Sequence, residues 1–187
     1  MPALQYFVST RASFVAQKTL YGYLKARMGT RYPSMFEDDV FVQSINIAKS
    51  HIYAACLSDL TIYTVAQAWA DARVDETAYR KAALDCYARA LSDNADELAE
   101  EFDVNASIET FTARLSQTDW NENALDRNNF TASPRALVKW APIADAHKKY
   151  DVDIVDNSIS FAWSEVRQNF LKRVDRDSMR LELEQAS

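Results

Sequence analysis

HIYAACLSDLTIY, residues 51–63, decides how this chain is read. The stretch is mostly apolar, yet it carries His51 and Asp59. A membrane-spanning helix needs ~20 apolar residues in a row. This run is shorter and is bracketed by Lys49 and Asp71. It reads instead as the middle of a long helix in a bundle. No proline or glycine occurs from Met35 to Ser133, so nothing local stops a helix that begins at Met35 and runs to about Ala72. At ~1.5 Å per residue that helix is roughly 55 Å long.

Composition supports an all-helical chain. The 187 residues include 2 glycines and 4 prolines, against an average glycine share of roughly 7%. Tight hairpin turns and phosphate-cradling loops both need glycine. The expected fold class is therefore all-α: a single-domain helical bundle of five or six helices, residues 1–187, with no linker and no internal repeat. Its two long helices, 35–72 and 151–184, are expected to pack antiparallel. The end of the chain, 172–187, is dense in charge and is expected to project into solvent or meet another chain.

The other helices follow from local signals. One runs from Gln5 to Met28 and stops at Gly29, a residue suited to a helix C-terminus. Its apolar residues lie on more than one side. Ser34 and Glu37 form a capping-box pattern. Asp75 precedes a helix over 76–91, "DNADELAEEF" reads as a short acidic helix, and Ile108, Phe111 and Leu115 mark another. The polar stretch 116–133 is a long loop, with Trp120 and Phe130 either pinning it down or presenting it to a partner. Ser133 and Pro134 have the form of a helix start, and Pro142 interrupts that helix. "HKKY", 147–150, puts cations at a helix C-terminus. On the last helix Val152, Val155, Ile159, Trp163, Val166, Phe170 and Val174 share a stripe, with Ile154, Phe161 and Met179 opposite.

The net charge of -6 argues against nucleic acid as a partner, since such binding depends on Lys and Arg neutralising phosphates. Cys56 and Cys86 read as buried, reduced thiols of a cytoplasmic protein; a disulfide is the alternative. Two histidines cannot build a multi-histidine metal centre or a di-iron bundle, and no nucleophile elbow, zinc or redox motif is present. No catalytic residue, cofactor or metal is predicted.

Asp59 is the exception in its surroundings. The stripe Phe41, Ile45, Ala48, Ile52, Ala55, Asp59, Tyr63, Ala66 places it among apolar residues. A buried carboxylate needs a partner, and Arg11, Lys18, Arg27 and Arg167 are the candidates. His51 belongs to a different row, with Ser44 and Ser58, roughly 12 Å along the axis from Asp59, so the two cannot form a dyad. Asp59 is either a structural ion pair or the polar group of a pocket among Tyr21, Tyr63 and Trp163. Trp163 and Arg167 are a pairing common at interfaces, though a tryptophan on an apolar stripe also suits a core. The candidate ligand- or partner-binding residues are His51, Asp59, Tyr63, Trp163 and Arg167.

The blocks "STRASFVAQKTLYGYLKARMGTRYPSMFEDDVF" and "SINIAKSHIYAACLSDLTIY", echoed by "KWAPIAD" and "NSISFAW", resemble a family of small bacterial proteins of unknown function, some of them named esterases. The resemblance covers mainly residues 9–68. It implies a bacterial cytoplasmic protein and brings no catalytic residues. Three functions remain open: a helical interaction or adaptor protein, self-associating as a dimer or bound to another protein; a bundle binding a small molecule or lipid between helices near Asp59; and a hydrolase.

Overall fold

The computed structural model describes residues 2–68, 75–120 and 129–173, with residues 175, 177, 178 and 181 beyond them. The helices are α1 (Pro2–Met28), α2 (Asp39–Ala68), α3 (Glu76–Asp93), α4 (Val104–Gln117), α5 (Ala132–Trp140), α6 (Asp145–Lys148) and α7 (Val152–Arg173). The described residues contain no strand.

Helix α2 is the axis of the bundle. From Ile52 to Ala66 nearly every side chain on it is buried, because neighbours pack on all sides. It lies most extensively against α1, then against α5 and α3. The expected partnership of the two long helices is thus replaced: α1 is the main neighbour of α2, and α7 packs on α1 and α5. Helices α1 and α7 run antiparallel. Phe7 meets Phe170 with ring centroids 5.3 Å apart, Lys18 Nζ lies 3.4 Å from Glu165, and Tyr23 and Arg27 both reach Asp151. The buried face of α1 is Val8, Ala12, Val15, Ala16, Leu20 and Leu24. The row Phe7, Phe14, Tyr21, Met28 lies to its side, with Phe14 exposed and the others packed against the core edge.

Several helix starts differ from the sequence reading. Residues Pro33–Glu37 form a 3₁₀ turn, and α2 begins at Asp39. The cap is Asp38, whose carboxylate accepts hydrogen bonds from the N–H groups of Val40 and Phe41 at 2.9 and 3.3 Å. Ser34 instead donates to the carbonyl of Arg31. The acidic stretch after α3 makes only the 3₁₀ turn Ala95–Glu97. Asp103 caps α4 by accepting from Ala106 N. Helix α5 ends at Trp140 before Pro142, and Lys148 Nζ returns to bond the carbonyl of Lys139, the cation placement that a helix C-terminus favours. On α7 the stripe Val155, Ile159, Trp163, Val166 and Phe170 is buried, whereas Val152 is half exposed. The opposite row stays open: Ile154 is 65% and Phe161 73% exposed. Val174, Met179 and the predicted ends at Ala72 and Glu184 lie outside the described residues. No helix of the described residues is long and apolar enough to cross a membrane.

Candidate functional site: a cleft backed by a buried carboxylate

Asp59 is a buried ion-pair residue, and its partner is one the sequence reading did not consider. Arg114 Nη2 of α4 lies 2.7 Å from Asp59 Oδ1. Arg11, Lys18, Arg27 and Arg167 are engaged elsewhere: Arg27 with Asp151, Lys18 with Glu165, Arg11 and Arg167 over the rings of Phe7 and Phe130. The start of α5 completes the shell of Asp59. Oδ2 accepts from Ser133 N at 2.8 Å and from Ser133 Oγ at 2.6 Å, and Oδ1 accepts from Ala132 N at 3.2 Å. The helix therefore begins where its first N–H groups find a carboxylate, as the dipole favours. Ser133 is not the cap residue; Thr131 holds that position. The Ser133 hydroxyl in turn accepts from Trp163 Nε1 at 2.9 Å, so one line of bonds joins α4, α2, α5 and α7.

The aromatic residues on the far side of this line converge on Phe130. Its ring centroid lies 5.4 Å from Tyr63 and 4.9 Å from Trp163, and the guanidinium carbon of Arg167 sits 5.5 Å away. Trp120 and Phe130 are both buried, so they pin the loop ends to the body. The pocket expected among Tyr21, Tyr63 and Trp163 is filled: Tyr63 is 3% and Trp163 1% exposed.

The open space is on the other side of Asp59. A cleft of about 540 Å³ lies between α2, α4 and α5, with Tyr87 of α3 also lining it. His51 forms one end. Its ring is stacked on Trp140 at 3.5 Å and 3° and meets Phe102 edge-on. Burial and, secondly, the Lys139 cation hold its pKa below 6.5, so the ring is neutral at pH 7. Ser58 and Arg114 form the other end, where Arg114 Nη1 donates to Ser58 Oγ at 2.7 Å. His51 and Ser58 are two turns apart on α2, so the cleft is roughly 10 Å long at ~1.5 Å per residue. Its sides are Ala54, Ala55, Ala136 and Phe111, and Phe111 is stacked on Tyr87 at 4.1 Å. Burial pushes the Tyr87 hydroxyl up to about 12, and it is bonded to Ser107 Oγ at 2.7 Å.

Of the five candidate residues, His51 lines the cleft, Asp59 stands directly behind it through Arg114 and Ser58, and Tyr63, Trp163 and Arg167 belong to the packed ring cluster beyond. Arg114 and Trp140 were missed. Arg114 follows Phe111 by three residues on the apolar side of α4, a spacing that places a cation at the core edge; nothing in the sequence marks Trp140 as the partner of His51. Ser133 and Asp59 are bonded directly while His51 is held in a ring stack, so these three do not make the relay of a serine hydrolase. Among the described residues no group of three or more His, Cys, Asp or Glu side chains is gathered for a metal ion. Cys56 and Cys86 are unpaired and buried. No family model, no curated protein and no solved structure matches this chain.

Proposed function

We propose that this chain is a small-molecule-binding helical bundle whose site is the cleft between α2, α4 and α5. The observation that carries the reading is the cleft itself: about 540 Å³, walled by aromatic and alanine side chains, with one arginine end and one imidazole end. Ligand sites commonly have volumes of ~300–1,000 Å³ and are lined by apolar groups with a few convergent polar ones. The rigidity of the walls also supports it. Asp59 locks the arginine, and the stack on Trp140 locks His51, so little ordering is left for a ligand to bring about. A cytoplasmic setting suits the two buried free thiols.

The test is a titration with the neutral fluorophore 6-propionyl-2-(dimethylamino)naphthalene, whose emission shifts to the blue in an apolar site. Saturable, one-to-one binding in the micromolar range is the expected result. Ala106→Trp, a substitution at an exposed position that lines the cleft, should abolish it. No binding, or binding unchanged in Ala106→Trp, rejects the reading.

A second reading, self-association as a dimer through α7, is favoured by the open row of Ile154 and Phe161 with Tyr150, itself 73% exposed, just before the helix. Exposed large apolar side chains in a row on one helix mark interaction faces. Light scattering across the micromolar range tests it, and a clean monomer would end it.

A further inference from the structure

Resting on the cleft as a binding site, we infer that its ligand is a flat aromatic carboxylate, with the ring between the cleft walls and the acid on Arg114. The charges of the site point this way. Asp59 does not depend on Arg114 alone: two N–H groups and one hydroxyl of α5 also donate to it. Arg114 spends three of its five N–H groups, on Asp59, Ser58 Oγ and the carbonyl of Asn129. Its side chain is 24% exposed and lines the cleft, so donors remain for an incoming oxygen.

The acidic groups of the cleft are committed. Glu101 accepts from Gln43 Nε2 at 2.5 Å, and Asp103 caps α4. Lys139 is exposed at the rim, with its ammonium 4.9 Å from the Trp140 ring. The uncommitted charges are therefore positive, and a guanidinium favours a planar, two-oxygen acceptor. The shape fits a flat ring. The cleft is narrow between alanines, its walls are aromatic, and the roughly 10 Å from His51 to Ser58 at ~1.5 Å per residue suits two fused rings carrying one carboxyl group. A neutral His51 adds no second cation, so one acid group is matched and two are not.

Isothermal titration of the wild-type chain with 2-naphthoate and with 2-naphthamide tests this. The two probes share ring and size and differ in charge. The expected result is at least about 10-fold tighter binding of the acid, the size of one charge-assisted hydrogen bond. Arg114→Gln should erase that preference, and Arg114→Lys should keep part of it; far-UV circular dichroism confirms that each is folded. Equal affinity for the two probes overturns the inference and leaves the cleft as a neutral-ligand site. A preference for the acid that survives in Arg114→Gln removes Arg114 as the anchor and overturns it too. Failure of both probes also overturns it, and the neutral fluorophore then decides separately whether the cleft binds anything.

Discussion

Replacing Asp59 by Asn keeps the shape of the side chain and removes its charge. The structure makes the consequence specific. Each carboxylate oxygen accepts two bonds: Oδ1 from Ala132 N and Arg114 Nη2, Oδ2 from Ser133 N and Ser133 Oγ. The amide of Asn puts its NH₂ against one of these donor pairs, whichever way it is turned. Two bonds are lost, and a buried cation loses its counter-charge. Breaking a buried ion pair from one side costs about 3–5 kcal/mol. Arg114 is a quarter exposed and regains some hydration, which places the loss near the low end, about 3–4 kcal/mol. Urea unfolding followed at 222 nm reads this directly through the shift of the midpoint. Arg114→Gln should overlap with it, because both variants break the same pair; the double variant should fall short of the sum by about 1–2 kcal/mol. A loss under about 1 kcal/mol for Asp59→Asn, or strict additivity with Arg114→Gln, would refute the placement of Asp59 at the centre of the bundle.

Phe130→Ala should cost about 3–5 kcal/mol in the same assay, since the ring carries Tyr63, Trp163 and Arg167; a loss below about 1 kcal/mol would mean that the loop is not pinned there. The pKa of His51 lies below 6.5 in the folded chain, so the unfolded chain binds its proton first. Stability is then fully present above about pH 6.5 and falls as the pH drops through the folded value; unfolding midpoints of His51→Gln should lack that part of the fall between about pH 6.5 and 5. Burial holds the Cys86 thiol up at about 12 and raises Cys56 further above its ordinary range. Neither should react with 5,5′-dithiobis(2-nitrobenzoate) until urea opens the bundle, and rapid labelling of the native chain would contradict their burial. Phe161→Glu should leave stability within about 0.5 kcal/mol and disperse any dimer seen by light scattering.

The helices were legible because glycine and proline are nearly absent and apolar residues repeat at helical spacing. Their starts were less so. Asp38 took the cap expected of Ser34 because its carboxylate reaches two N–H groups, and "SMFE" settled as a 3₁₀ turn. The anomaly of Asp59 was visible from its place in an apolar stripe; its partner was not. Arg114 lies 55 residues further along the chain, and the approach of α4 to α2 is a tertiary fact with no local trace. The stack of His51 on Trp140 is of the same kind. Periodicity says which face is buried, and says nothing of which ring will lie against it.

The proposed site is tested most directly by nitrogen-15 correlation spectra of the tryptophan indoles during titration with 6-propionyl-2-(dimethylamino)naphthalene. Trp140 lines the cleft, whereas Trp163 is buried with its indole N–H bonded to Ser133. Binding in the cleft predicts a saturable shift of the Trp140 indole with that of Trp163 nearly still. An unmoved Trp140 indole at saturating probe would contradict the account.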